Sequence, residues 1–369
     1  MAVPDTIGVK YIGSKASLIG NILDVIDRNL AQPDSLRLID VFTGTTRVAQ
    51  AFRTRGWDVQ SSDLSWASEA YAHAFIIRTK ESGRRIPALT HSLWMELTAA
   101  FDSESPPAKD WITTNYCDVS GVEGGLVRMW KPANGIRADF LRNRIAELEL
   151  GGQITHHEAM ILVCSLIFGL DKVDNSVGIQ QAYLKDWAKR TDDNMAFLDL
   201  PYAIGPVAKH TVGNCLEIAY EPADVAYIDP PYSTHSYSTY YHIWDSITRW
   251  DKPAVGLKTN RRMDRVSKSE EFDESMKSLW NSKSTALDAL LELCQRLPVK
   301  YLLISYNDES LIPHLGLIKA LETRYGAANV QIVRIPYKRN IMSQIGNALL
   351  SDETMKTENT EMLIWVRKN

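Results

Sequence analysis

LRLIDVFTGTTRVAQAFRTRGWDVQSSDL, residues 36–64, decides the architecture. Its opening LRLIDVF (36–42) is dominated by apolar residues and reads as a buried strand. TTRVAQAFRTRG (45–56) then carries apolar residues at helical spacing and closes on Gly56, a residue suited to ending a helix. WDVQSSD (57–63) reads as a second strand, and ASEAYAHAFIIRTK (67–80) as a further helix. Upstream, ASLIGNILDVIDRNL (16–30) is amphipathic at the same helical period. Strand and helix alternating in this way predict a parallel, doubly wound α/β sheet.

The alternation stops after residue 80. Residues 81–212 hold few strand-like runs, several Pro/Gly turns and long helical segments, among them HHEAMILVCSLIFGL (156–170) and QQAYLKDWAKR (180–190). It resumes with the strand DVAYID (224–229), the helix TALDALLELCQRL (285–297), the strand KYLLISYN (300–307) and the helix SLIPHLGLIKALETRYG (310–326). VQIVRIPY (330–337) and EMLIWVRK (361–368) read as closing strands, with a loop and hairpin excursion over 338–359 between them. One sheet interrupted by a mainly helical insertion explains this better than two domains. The expected division is a sheet domain from 1–80 and 213–369, with 81–212 inserted.

A chain of 369 residues with ordinary apolar and charged fractions can bury a large core. Cys117, Cys164, Cys215 and Cys294 are scattered without CxxC spacing, which argues against a zinc ribbon or a disulfide framework and for a reducing cytoplasm. A signal peptide and a membrane-spanning run are not expected. The net charge of −4 gives no overall pull on nucleic acid, yet KTNRRMDRVSK (258–268) sets five cations against one aspartate. Two readings remain open for it: a solvated charged loop, or a phosphate-contacting segment holding Arg261 and Arg262.

Two junctions carry chemistry. In DVFTGTTRVA (40–49), Gly44 sits between strand and helix, where it lets backbone approach a ligand. Asp63 ends the next strand about twenty residues on, placed to accept bonds from ribose hydroxyls. Thr46 stands where a second glycine would complete GxGxxG, so a nucleoside fits better than a dinucleotide; a purely structural turn is the other reading of Gly44. The second junction is AYIDPPYSTHSYSTYYH (226–242), where an apolar strand runs into Asp229, Pro230, Pro231 and Tyr232. Prolines have no N–H, so the backbone is stiff and the carbonyl near Pro230 is presented without a competing donor. A carboxylate and a carbonyl at fixed separation match the two hydrogens of an exocyclic NH2, and Tyr232 offers a ring on which a base stacks.

This combination resembles the Dam-like alpha group of DNA adenine-N6 methyltransferases, over nearly the whole chain. KYIGSK (10–15), with Tyr11 and Lys15, resembles the motif that leans on the methionine end of S-adenosylmethionine. DVFTGTT (40–46), holding Asp40, Phe42, Thr43, Gly44 and Thr45, resembles the cofactor loop, and SSDL (61–64) supplies Asp63 and Leu64 for the ribose. GNCLE (213–217) stands where the family meets the cofactor's adenine, with Asn214 in place of the usual acid and Cys215 beside it. DPPY follows, with Asp229 next to both base and cofactor. The order of loop, insertion and DPPY defines the alpha group. YSTHSYSTYYHIWDSI (232–247), LLISYN (302–307) and LDKVDNSVGIQQAYLKDW (170–187) resemble modification enzymes of restriction systems.

The resemblance implies a Rossmann-like S-adenosylmethionine-dependent methyltransferase sheet with a target-recognition insertion. It also implies double-stranded DNA as partner, a cognate restriction endonuclease where the system has one, and a monomeric protein. Arg128, Lys131 and Arg137, with Lys172 and Lys185, are candidate DNA contacts, each equally readable as a surface cation. Tyr237, Tyr240, Tyr241 and His242 either wall the base pocket or pack beneath the loop. No metal is expected: His156 and His157 are neighbours on one helix and should face apart. The rival readings are cytosine-N4, RNA or protein N-methyl transfer, or a non-catalytic DNA-binding module with a decayed cofactor loop, for which Thr46 and Asn214 are the hints.

Overall fold

The computed structural model describes residues 3–30, 36–103, 107–117, 128–180, 182–184, 186–234, 237–256, 260–266, 268–274, 277–308, 310–338 and 358–368. A helix α1 (Ile19–Asn29) precedes β1 (Arg37–Val41), α2 (Arg47–Thr54), β2 (Asp58–Asp63) and α3 (Ala67–Ala72), which runs into a π-helical turn at His73–Ile77. The inserted helices are α4 (Lys80–Phe101), α5 (Trp111–Tyr116), α6 (Pro132–Leu150) and α7 (His156–Lys172). Then come β3 (Lys209–Val212), β4 (Ala223–Ile228), α8 (Tyr237–Tyr240), α9 (His242–Arg249), α10 (Ala286–Arg296), β5 (Val299–Asn307), α11 (His314–Tyr325), β6 (Val330–Lys338) and β7 (Glu358–Arg367).

The seven strands form one sheet in the order β3-β2-β1-β4-β5-β7-β6. β1 to β5 pair in parallel, and β7 lies antiparallel between β5 and β6. This is the doubly wound α/β sheet expected from the alternating strands and helices. Strand order reverses between β1 and β4, and that crevice is where open α/β sheets bind ligands. Side chains alternate between two cores, as a strand buried on both faces requires. Leu38, Val225, Tyr227 and Leu303 enter the core under α1–α3 and the insertion. Ile39, Ala226, Ile228, Leu302 and Ile304 enter the one under α10 and α11.

Two expectations change. Lys209–Val212, assigned to the insertion, is an edge strand paired with β2. Its sequence KHTV is short and three of its four residues are polar, so no apolar run marks it. No α-helix forms among the described residues of 180–190, where only a short 3-10 turn, Lys189–Asp192, begins at the far end. Asn175, fully buried, accepts from the Leu184 N–H at its carbonyl (3.0 Å) and from the Ala188 N–H at its side chain (2.9 Å), folding the segment back on itself. Tertiary hydrogen bonding overrides helical period here. The excursion expected over 338–359 lies outside the described residues apart from its ends.

The insertion is fastened to the sheet by Arg53 of α2, which is 1 % exposed. Its guanidinium donates to the carbonyls of Phe75 (2.9 Å), Arg78 (2.6 Å), Ala203 and Pro206 (3.0 Å). Arginine fits because its planar fork satisfies several buried carbonyls at once. α7 starts where it does because Thr155 and Glu158 form a reciprocal capping box.

Candidate active site

The ends of β1, β2 and β4 lie level, since Val41 pairs with both Ser62 and Ile228. The residues that follow, Phe42, Asp63 and Asp229, therefore meet at one rim. They line a cleft of about 1100 Å3 together with Tyr11, Gly13, Leu64, Asn214, Cys215, Leu216, the Pro230–Tyr232 corner, Tyr237 and a wall at 277–281.

The β1–α2 loop is unusual in its backbone. φ is positive at Phe42 (65°), Gly44 (51°) and Thr46 (61°). Two of these are not glycine, and such conformations persist where surrounding structure over-determines them, often at ligand sites. Thr46 thus adopts the glycine-like shape without a glycine, so its departure from GxGxxG leaves the turn intact. Asp63 accepts the Gly44 N–H at Oδ2 and the Ser65 N–H at Oδ1, each at 2.8 Å. Burial pushes its pKa up to about 6 against these bonds. Each oxygen keeps a second lone pair for a hydroxyl. Asp40, Thr43 and Thr45 are buried behind the loop rather than in the cleft lining. Asp40 accepts from Thr43 Oγ1 (2.6 Å) and the Ala49 N–H (3.1 Å), and burial raises it to about 7. It fixes the loop and does not face the cleft.

At the other end of the cleft, Lys15 is 6 % exposed and lies between two carboxylates: Asp229 Oδ1 at 2.9 Å and Glu361 Oε1 at 3.5 Å. The Tyr232 hydroxyl contacts both Lys15 and Asp229 Oδ1, and Ser305 donates to Glu361. Burial drives the Asp229 pKa up to about 7; Lys15 pulls it down and Glu361 pushes it back. Lys15 also sits 4.5 Å over the Tyr232 ring, whose edge meets Tyr306 at 5.9 Å.

KYIGSK is pinned to the segment after DPPY. Tyr11 stacks on Tyr241 at 4.3 Å, and Tyr241 accepts the Ile12 N–H at 2.6 Å. Of the four downstream aromatics, Tyr237 lines the cleft, whereas Tyr241 and His242 are buried beneath it. His242 contacts the carbonyls of Thr239 and Asn260 at 2.9 Å each. Tyr240 is half-buried against Tyr237.

The proposed DNA cations divide. Arg262 is corrected: it is 2 % exposed and saturated by Asp251 (2.8 Å), Asp264 (2.9 Å) and the Ser246 hydroxyl, so it offers no face to a phosphate. Arg128 donates to Asn260, Lys131 pairs with Asp192, and Arg137 lies 5.0 Å over Phe101. Arg261 is partly buried, Lys172 is exposed, and Lys185 lies outside the described residues. Histidines 156 and 157 do not face apart: both converge on His73, with Glu69 alongside.

Sequence reading missed Trp280 and Glu361. Trp280 meets Phe42 edge-on at 4.8 Å and closes the wall opposite Asp63. It stands some fifty residues beyond DPPY in a charged region without periodicity, so no local signal marks it. Glu361 opened an apolar closing strand, EMLIWVRK, and a buried glutamate there was the available hint.

These features define an α/β protein whose switch-point cleft joins an aromatic wall, a strand-end aspartate and an acid-proline-proline-tyrosine corner. The chain belongs to the D12 class N6 adenine-specific DNA methyltransferase family, whose model matches residues 11–302. It is 26 % identical over 336 residues to modification methylase StsI of Streptococcus sanguinis, covering 90 % of this chain and 48 % of that one. Type II methyltransferase M.FokI of Planomicrobium okeanokoites is 26 % identical over 341 residues (90 % and 49 %). M.NlaIII of Neisseria lactamica is 26 % identical over 336 residues (90 % and 92 %). The chain thus spans about half the length of the first two relatives. Among solved structures, the cyclase SpnF overlays with a TM-score of 0.32 and 8 % identity over 97 % of this chain and 83 % of that one, a likeness too loose to bear on function.

Proposed function

We propose that the protein transfers a methyl group from S-adenosylmethionine to N6 of an adenine swung out of double-stranded DNA, as the modification enzyme of a restriction system. The observation that supports this best is the single cleft shared by Asp63, Phe42 and Asp229. The donor set suits a nucleoside: Phe42 and Trp280 provide flat aromatic surface for adenine, Leu216 further apolar contact, Asn214 a polar edge, and Asp63 acceptors for the ribose. Tyr11 and Gly13 would border the methionine end. When bound, the cofactor supplies a methyl group on a sulfonium that leaves as a neutral thioether.

The chain's own residues then have defined tasks. Extruding an adenine costs a few kcal/mol, and the Tyr232 and Tyr237 rings would hold the extruded base. Asp229 and the Pro230 carbonyl would accept the two N6 hydrogens, localising the nitrogen lone pair and orienting it. A carboxylate is too weak a base to deprotonate an aniline-like N–H beforehand. Asp229 instead stabilises positive charge as N6 becomes tetrahedral, and the proton leaves afterwards. In the resting arrangement Lys15 and the Tyr232 hydroxyl both meet Oδ1, so the amine would be met by Oδ2.

Expression in a methylation-free host followed by modification-sensitive sequencing is expected to show N6-methyladenine at one short sequence. Cytosine-N4 methylation would select the rival base, and unmodified DNA would remove the proposal. Trp280→Leu is expected to weaken cofactor binding about tenfold, because one adenine-facing aromatic wall is lost. Calorimetric titration giving an unchanged affinity would count against that wall.

A further inference from the structure

A second cluster of chemically able side chains lies where the π-helical turn after α3 meets the N-terminus of α7. One imidazole nitrogen from each of His73 and His156 and a carboxylate oxygen of Glu69 lie within 4.8 Å of one another. We infer that Glu69, His73 and His156 form a binding site for a divalent transition-metal ion of the zinc type, outside the catalytic cleft.

The donor set is two imidazoles and one carboxylate, which suits borderline ions such as Zn2+ rather than Mg2+ or Ca2+. Around a tetrahedral zinc with bonds of about 2.0–2.1 Å, ligand atoms stand roughly 3.3 Å apart. The His156 Nε2 to Glu69 Oε1 separation is already 3.2 Å. Side-chain rotations of roughly an ångström would bring in the third ligand from its 4.8 Å limit.

The supporting groups strengthen the assignment. Metal-bound histidines generally use their other nitrogen to contact an orienting group. His156 Nδ1 contacts Glu149 Oε1 at 2.7 Å, a carboxylate–histidine pair that aims Nε2 at Glu69. His73 Nδ1 contacts His157 Nδ1 at 2.8 Å, and His157 is anchored in turn by the Ser82 hydroxyl at 3.0 Å. His210, the other imidazole close enough to affect His73, is committed elsewhere: its nitrogens contact the Ser61 and Ser68 hydroxyls at 2.9 Å each. The nearby Arg78 guanidinium is paired with Asp199 at 2.7 Å. An ion here would tie the segment after β2 to the inserted helix α7.

The test uses the full chain after dialysis against a chelator, with Zn2+ followed by calorimetry and Co2+ by its visible absorption. One equivalent of metal is expected, with cobalt bands of low-coordinate N/O ligation and a zinc-dependent rise in the thermal midpoint. His156→Asn and Glu69→Gln should each weaken binding by about 100-fold or more, and Glu149→Gln by about 10–100-fold. His156 and Glu69 are partly exposed (54 % and 26 %), so both variants should fold, which circular dichroism checks. Failure of the wild type to take up a stoichiometric ion, or wild-type affinity in His156→Asn and Glu69→Gln, would overturn the inference. Neither readout depends on methyl transfer.

Discussion

Asp229→Ala is expected to lower methyl transfer by about 1000-fold or more while cofactor affinity changes only a few-fold. The two effects separate because the cleft has two ends. Asp63, Phe42, Trp280 and Asn214 would hold the nucleoside, whereas Asp229 and the Pro230 carbonyl face the amine. The fold should survive. Lys15 retains Glu361 at 3.5 Å when Asp229 is removed, so its charge keeps a partner. Single-turnover transfer with radiolabelled cofactor, beside a binding titration, makes the comparison. Wild-type turnover would dismiss the role given to Asp229. A parallel collapse of cofactor binding would instead assign Asp229 to the cofactor.

The second large effect is expected from Lys15→Met. Lys15 is a buried cation set between a buried carboxylate, Glu361, and a partly buried one, Asp229. Removing one partner from such a group typically costs about 3–5 kcal/mol, because the remaining charge is stranded. The pH dependence has a definite sign. Asp229 has a folded pKa near 7, above its ordinary value of 3.8, so its contribution to stability is fully present below about 4 and is lost as pH rises through 7. Lysine works against that loss by pulling the pKa down. Without Lys15 the Asp229 pKa rises further, so the penalty of the variant should grow from about pH 5 to about pH 8. Adding Glu361→Gln removes a stranded carboxylate and should recover part of the stability. Denaturant unfolding at the two pH values measures this; a penalty that shrinks with rising pH would refute the ion-pair description.

The same residues show why the sequence was informative in some places and mute in others. β1, β4, β5 and β7 were legible because buried strands need largely apolar runs, and these stand out against helical spacing. β3 was not, since a four-residue edge strand with alternate exposed positions carries no such run. Phe42, Asp63 and Asp229 could be placed together because all three end parallel strands, and a doubly wound sheet brings such ends to one rim. Arg262 could not be judged, because a buried arginine with acidic partners and a DNA-facing one look alike in a basic stretch. Trp280, Glu361 and the cluster around His73 depend on contacts between segments far apart in the chain. No local period or motif encodes those contacts.

The orientation of the cofactor tests the central claim most directly. In a crystal structure with S-adenosylhomocysteine, the ribose is expected on Asp63 and the adenine against the wall that Phe42 and Trp280 form together. The sulfur is expected to face Asp229 and the Pro230 carbonyl. A cofactor seated outside this cleft, or one whose sulfur turns away from Asp229, would contradict it.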